Sequence, residues 1–93
     1  MNTINHEFMK PTKASNYTVS GTTPTEIDTK GSFAAVKVTS GSVYAAGLDE
    51  DISASRGFLL DSGDTLCISH GIKLLAKSGS ASASVSVLLF ESN

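Results

Sequence analysis

Three side chains in the second half of the sequence carry the atoms of a nucleophilic catalytic triad. Ser62, Asp64 and His70 supply a hydroxyl, a carboxylate and an imidazole. In such a triad the imidazole takes the proton of the hydroxyl while the carboxylate orients the ring. The sequence has no G-x-S-x-G elbow around a serine, and serines are abundant at its turns. We therefore interpret these residues as turn and strand-end residues, and we predict that the protein is not an enzyme.

Cys67 and His70 form a lone C-x-x-H pair, which could supply two ligands to zinc. A structural zinc site needs about four ligands. The second histidine of the chain, His6, lies far away near the N-terminus. The pair is therefore interpreted as a strand cysteine and a turn histidine, and no cofactor is predicted.

Three adjacent carboxylates, Asp49, Glu50 and Asp51, could supply oxygen ligands to a hard cation. Calcium takes six to eight oxygens, and a loop of three carboxylates could give some of them. The spacing is not that of an EF-hand loop. A solvated acidic loop and an ion site both stay open from the sequence.

Sugar binding is the remaining chemistry that a small β-rich domain could perform. It normally uses aromatic platforms against the apolar faces of sugar rings. The chain has no tryptophan, so Tyr17 and Tyr44 are the candidate platforms.

The elements that must position these residues are short strands. Glycines recur every six to ten residues or so after residue 20, which is typical of strands joined by tight turns. Apolar residues alternate with polar ones, and no helical periodicity persists; one helical turn with Asp49 as its N-cap is the exception predicted. The residues predicted to face the core are Val19, Ile27, Ala34, Val36, Val38, Val43, Ala45, Leu66, Ile68, Ile72, Leu74, Ala76, Ala83, Val85, Val87 and Leu89. We predict an all-β fold, a small antiparallel β-sandwich or jelly-roll-like barrel of seven or eight short strands.

Length and charge restrict the partners. The chain has 93 residues, enough for one domain, and a net charge of −2. Its seven Lys and Arg residues are scattered, so no nucleic-acid partner is expected. There is no signal peptide and no apolar run long enough to cross a bilayer, so no membrane partner is expected either. The single cysteine, Cys67, excludes an internal disulfide, as expected of a protein made in a reducing cytoplasm.

Residues 1–15 lack the strand alternation and contain Pro11. We predict an extended N-terminal arm over 1–15 and the β-sandwich domain over 16–93. Such an arm needs something to hold it in place, for which a neighbouring subunit is a candidate. Ile4, Phe8 and Met9 are its predicted contact residues.

Several large apolar residues fall on positions that the alternation assigns to the outside. They are Leu75, Leu88 and Phe90, joined by Phe58 and Leu60 if that strand takes the opposite register. An exposed patch of this kind on a small domain indicates a protein–protein interface. Cover by the chain itself, or a shift of register at a β-bulge, is the alternative.

From Asn16 to Glu91 the order of strands and turns, in "NYTVSGTTPTEID", "FAAVKVTSGSVYAAG", "GFLLDSGDTLCIS" and "GIKLLAKSGSASASVSVLLFE", resembles small bacteriophage virion proteins. These are capsid decoration (cement) proteins and the β-rich base domains of head fibres. The turn in "SGDTL" also occurs in other jelly-roll proteins, cupins among them. The chain lacks the cupin metal histidines, which argues against that relationship.

The resemblance implies a non-enzymatic structural protein of the virion. It would form a homo-oligomer, expected to be a trimer, and bind the major capsid protein or another virion protein. The apolar outer face and the arm would make those contacts and strengthen the shell. The alternative is a tail or fibre adaptor that binds a host glycan or a receptor-related ligand.

Overall fold

The structure, a computed structural model, describes residues 9–52, 57–77 and 82–92; the side chains of Met9, Lys10, Glu91 and Ser92 are outside the description. The described residues form eight antiparallel strands and no helix. The strands are β1 (Met9–Ser20), β2 (Thr25–Ile27), β3 (Phe33–Ser40), β4 (Val43–Gly47), β5 (Phe58–Leu60), β6 (Thr65–Ile68), β7 (Ile72–Ala76) and β8 (Ser82–Ser92). No helix among these residues is long and apolar enough to cross a membrane.

The strands form two four-stranded sheets with a jelly-roll topology. Sheet A has the order β1-β8-β3-β6, and sheet B has the order β2-β7-β4-β5. The first strand pairs with the last, the second with the seventh, the third with the sixth and the fourth with the fifth. This is the pattern of a long hairpin rolled into a two-sheet sandwich, so the predicted fold class is confirmed.

The core lies between the sheets and consists mainly of small and β-branched side chains. The buried residues that the sequence predicted are Val19, Ile27, Ala34, Val36, Val38, Val43, Ala45, Ile72, Leu74, Ala76, Ala83, Val85 and Val87. Leu66, Ile68 and Leu89 also face inward, as predicted, but are only partly buried against that core. Strict alternation predicted these residues because successive side chains of a strand point to opposite faces of the sheet.

The turn between β5 and β6 illustrates how local chemistry fixes the strand ends. The amide of Asp64 donates to the carbonyl of Asp61 at 2.9 Å, and the amide of Asp61 donates to Oδ2 of Asp64 at 2.8 Å. Gly63 has φ of 95°, a conformation that costs glycine little, and its amide donates to the carbonyl of Val38 at 2.8 Å. The hydrogen bond of Gly63 thus attaches the turn to β3, which lies next to β6 in sheet A.

Two local predictions meet a different structure. The helical turn predicted with Asp49 as its N-cap is wrong for residues 48–52, which form a turn and irregular backbone; residues 53–56 lie outside the described part. Within the predicted arm, Met9 to Ser15 is extended but belongs to β1 and pairs with β8. A register shift between Pro11 and Lys13 accommodates the proline in this edge strand.

Candidate functional site

The candidate triad residues do not meet. Ser62 and Asp64 lie in the turn before β6, and His70 follows β6, so a strand about 13 Å long lies between them. The hydroxyl of Ser62 donates to the carbonyl of Thr39 at 3.4 Å, and Nδ1 of His70 lies 3.1 Å from Oγ of Ser69. Each of the three side chains thus has a different hydrogen-bond partner near a strand end, since Asp64 accepts from the amide of Asp61.

The candidate metal ligands are also dispersed. Cys67 is exposed and pairs across the ladder with Ala35 on sheet A, whereas His70 borders an open pocket beside Asp49 and Glu50. Among residues 9–52, 57–77 and 82–92, no group of three or more His, Cys, Asp or Glu side chains could hold a metal ion. In the acidic loop, Oε1 of Glu50 accepts from the amide of Gly47 at 3.4 Å.

The two tyrosines lie on different sheets, and Tyr17 faces the interior whereas Tyr44 faces outward. Tyr17 is half-buried on the inner face of β1 and packs against the core. Tyr44 points outward from β4, where it pairs with Leu75 and Leu59. They therefore do not form a joint platform for a sugar ring.

The predicted interface residues of β5 divide in a way that the sequence left open. Leu60 pairs with Val43 and Phe58 with Ala45, so both lie in the inward register and Leu59 lies in the outward one. Leu60 is buried in the core at 3% exposure, so its assignment to an exposed interface is corrected. Phe58 is 63% exposed, although it points inward, because it lies at the end of a short edge strand.

Leu75 and Phe90 do point outward, as predicted, but the protomer itself buries them to 5% and 4% exposure. Leu75 lies on β7 between β2 and β4, with Tyr44 directly opposite. Phe90 lies on β8 between Phe33 and Pro11 of the flanking strands. Their assignment to an exposed interface is therefore corrected, because central positions with bulky cross-strand neighbours leave little surface for water.

Leu88 is half-buried and keeps the outward position that the sequence predicted. Its cross-strand neighbours are Ala14 on β1 and Ala35 on β3, and Ala35 pairs in turn with Cys67 on β6. These four residues form one row across the outer face of sheet A. We call this outer face, from the Phe33 row to the Lys37 row, the A face.

The A face combines a projecting aromatic ring with a hollow. Phe33, two residues before Ala35 on β3, is 49% exposed. On the other side of the row, a cavity of about 340 Å³ is bordered by Leu88, Ala35 and Lys37. Lys37 is the one charged side chain that the described residues contribute to this face.

Phe33 is not among the interface residues predicted from the sequence, although the alternation of β3 places it on the outer face. Phe33 begins the strand whose inward residues start at Ala34, so the same period assigns it to the outside. Of the predicted arm contacts, Ile4 and Phe8 lie outside the described residues, and Met9 is described by its backbone alone, opposite Ser92.

A second apolar surface lies where the two sheets open between their edge strands β5 and β6. We call it the β5/β6 margin. A cavity of about 300 Å³ is bordered there by inner-face residues of both sheets, among them Phe58, Leu66, Ile68 and Ile72. Its apolar lining offers hydrophobic contacts and no ionisable group.

Comparison with known proteins supports the fold and goes no further. No protein-family model matches the chain, and no curated protein matches it. The structure is similar to the crystal structure of a cupin-2 domain-containing protein from Shewanella frigidimarina NCIMB 400, with a TM-score of 0.56 and 15% sequence identity. The similarity covers 98% of this chain and 76% of the other. At this identity it establishes the jelly-roll fold and gives no support to a non-enzymatic function.

The resemblance to bacteriophage virion proteins is wrong, because the solved neighbour is a bacterial cupin-2 domain protein. The strand order and the turn at residues 61–64 are properties of jelly rolls in general. They therefore indicate the fold and do not indicate a virion protein. The missing metal histidines argue against a cupin relationship, yet the cupin-2 domain-containing protein has the same fold. The expected capsid partner and virion location lose their basis with the resemblance.

Proposed function

We propose that this chain is a non-catalytic assembly domain that forms a two-fold homodimer through the A face. The observation that supports it is the arrangement of Phe33, the Leu88 row and the hollow at Lys37 on one outer surface. An exposed aromatic ring beside an apolar hollow is the kind of surface that partners bury.

The A face is complementary to itself. Phe33 and Lys37 lie two residues to either side of Ala35 on β3. A two-fold axis along the row of Leu88 and Ala35 would bring Phe33 of each protomer over Lys37 of the other. The ring would enter the partner's hollow, with the ammonium group against its face. Such isologous contacts are usual in symmetric dimers, and for this reason we propose a dimer in place of the expected trimer.

The size of the A face suits a modest interface. Four strands about 4.8 Å apart and five residues long, from the Phe33 row to the Lys37 row, give an area of roughly 320 Å² per protomer. A total of about 650 Å² is below the usual size of a specific interface, so we expect a weak, concentration-dependent dimer. Two sheets packed in this way would align their strands within about 30°.

The composition of the centre of the sandwich, away from its margins, supports the non-catalytic part of the proposal. Val36, Val38, Val85 and Leu74 fill the space between the sheets with less than 2% exposure each. A reaction centre there would need polar or ionisable groups with access to solvent. The core uses that volume for packing instead.

The test is sedimentation velocity over a concentration series, with Phe33→Ser as the decisive variant. We expect wild-type protein to dimerise at concentrations of roughly 0.1–1 mM and Phe33→Ser to weaken the dimer by about tenfold or more, since a buried aromatic ring contributes strongly to an interface. Leu88→Asp should have a similar effect, because it inserts a charge in the middle of the row.

Phe58→Ser is the matched control, because it removes an exposed phenylalanine from the β5/β6 margin instead of the A face. Both serine variants should keep the melting temperature of the wild type within a few degrees. A wild-type monomer at about 1 mM, or a dimer lost in Phe58→Ser and retained in Phe33→Ser, would refute the proposal.

A further inference from the structure

The sandwich has a third notable cavity, on the side opposite β5 and β6. It lies between the inner face of β1 and the chain that follows β2, and its volume is about 280 Å³. We call this region the β1/β2 margin. The residues that border the cavity are Lys13, Ser15, Tyr17, Ile27, Asp28, Thr29, Lys30, Val87 and Leu89.

The inner face of β1 is polar where the inner faces of the other strands are apolar. Lys13 pairs with Leu89, Ser15 with Val87, and the cross-strand partners share the inward face. An amino group, a hydroxyl and the ring of Tyr17 therefore line one wall of the cavity. Val87 and Leu89 form an apolar floor beside them.

Thr29 closes the opposite wall and carries a group that the protein leaves unsatisfied. Its side chain is buried at 4% exposure, the one buried polar side chain among the described residues. Its Oγ1 has no hydrogen-bond partner within that part of the chain. An unpaired buried hydroxyl is destabilising, and native proteins rarely keep one without a purpose.

The backbone of Lys30, beside Thr29, adopts a second energetically unfavourable arrangement. It has φ of 54°, followed by Gly31 at 87°, and the amide of Ser32 donates to the carbonyl of Thr29 at 3.0 Å. This is a type I′ turn, for which asparagine or glycine is the favoured first central residue. A lysine there is strained, yet it sets an ammonium group on a strand connection that borders the cavity.

The charges at this margin favour an anion. Lys13 and Lys30 outnumber the carboxylate of Asp28, whose Oδ1 accepts from the amide of Lys30 at 2.8 Å. The cavity thus offers two ammonium groups and the hydroxyls of Ser15 and Tyr17 above an apolar floor, and the hydroxyl of Thr29 lies buried in its wall. A ligand that satisfies both parts carries a negative charge at one end and a hydrocarbon body at the other.

We propose that the β1/β2 margin binds a small carboxylate with an apolar body. The carboxylate is held by Lys13 and Lys30, and one of its oxygens accepts from the hydroxyl of Thr29 once that side chain rotates toward the cavity. The hydrocarbon packs on Val87, Leu89 and Ile27. This site is independent of the A face and persists whether or not the protein dimerises.

The experiment is a titration of the full chain with hexanoate, followed by two-dimensional NMR, with 1-hexanol and hexylamine as matched probes. We expect hexanoate to bind about tenfold more tightly than hexanol, because the carboxylate adds charge-assisted hydrogen bonds. The largest shifts should belong to Lys13, Tyr17, Leu89 and residues 27–30, which line this cavity and not the hollow of the A face. Equal binding of the three probes, or shifts confined to other parts of the chain, would overturn the proposal.

Thr29→Val separates a binding role from a packing defect. Removal of an unsatisfied hydroxyl should raise the melting temperature of the free protein by about 4 °C. The same change should weaken hexanoate binding severalfold, since the ligand loses a donor. A variant that is more stable and binds hexanoate as well as the wild type would exclude Thr29 from the site and overturn its part of the proposal.

Lys30→Asn and Lys13→Gln test the cations, with Lys77→Gln as the control for charge alone. Asparagine suits the type I′ turn, so Lys30→Asn should keep or raise the melting temperature and yet weaken hexanoate binding by about tenfold. Lys13→Gln should weaken it similarly, and Lys77→Gln should not. Unchanged affinity in both test variants would refute the proposal.

Discussion

The two margins of the sandwich occupy equivalent places in the fold and have opposite chemistry. Each is a gap between the two sheets at a pair of edge strands, and each is lined by inward-facing side chains. The β5/β6 margin presents Phe58, Leu66 and Ile68, whereas the β1/β2 margin presents Lys13, Ser15 and a buried threonine hydroxyl. The fold decides where a gap opens, and a few side chains of the edge strands decide what can enter it.

The comparison also indicates how the edges are protected. β1 is long, and Pro11, the adjacent register shift and Lys13 discourage another strand from pairing with its first half. β5 and β6 are only three and four residues long, so they offer little ladder to a partner and expose apolar side chains instead. Polar inner residues at one edge and short strands at the other both reduce pairing with a strand of another molecule.

Leu74→Ala should have the largest effect, because Leu74 lies in the packed core between the two margins. It is fully buried on β7 between Thr25 of β2 and Ala45 of β4. We expect its truncation to lower the free energy of unfolding by about 3 kcal/mol, measured by urea denaturation. Leu59→Ala, at 38% exposure on the outer face, is the control and should cost under about 1 kcal/mol. Equal costs would contradict the central place of Leu74 in the core.

Gly71→Ala should have an intermediate effect on stability. A Cβ on Gly71 would overlap the side chain of Leu48 and approach the carbonyl oxygen of Ile27 to 3.1 Å. We expect a loss of about 2 kcal/mol in the free energy of unfolding, measured by urea denaturation.

The double variant Gly71→Ala with Leu48→Ala tests the cause of that loss. If the overlap is responsible, the smaller side chain makes room, and the double variant loses less than the sum of the single changes. Additive losses would point to the backbone of Gly71 instead.

Phe58→Ser should have the smallest effect on stability and a visible one on the surface. Because the ring is 63% exposed, the free energy of unfolding should change by less than about 0.5 kcal/mol. The fluorescence of a hydrophobic dye bound to the protein should fall, since the ring borders the apolar cavity. Undiminished dye fluorescence would mean that the dye binds to another part of the molecule.

Much of the fold could be predicted because its signal is local. The alternation in residues 33–38 and 83–87 determines which side chains meet in the core, and all six inward residues there are buried. The β5 register could not be predicted in the same way, because Phe58, Leu59 and Leu60 are three consecutive apolar residues. Only the pairing of Leu60 with Val43 decides between the two registers.

The candidate sites were predicted less well, because they depend on contacts between distant parts of the chain. Leu88 was placed correctly on an outer face, but the cover of Phe90 by Phe33 and Pro11 requires knowledge of the strand order. The cavity at Thr29 joins β1, β8 and the turn after β2, which are remote in sequence. No local pattern marks such a cavity, and the irregular start of the chain was interpreted as an arm.

The nested pairing of the strands has a consequence for how the chain folds. The innermost pair, β4 with β5, closes a short loop, and each further pair encloses the pairs inside it, out to β1 with β8. Since loop closure costs entropy that grows with the length of disordered chain, we expect pairing to zip outward from the β4–β5 hairpin. The walls of the β1/β2 margin, built by the outermost pairs, would then be completed last, on the slow timescale typical of high contact order.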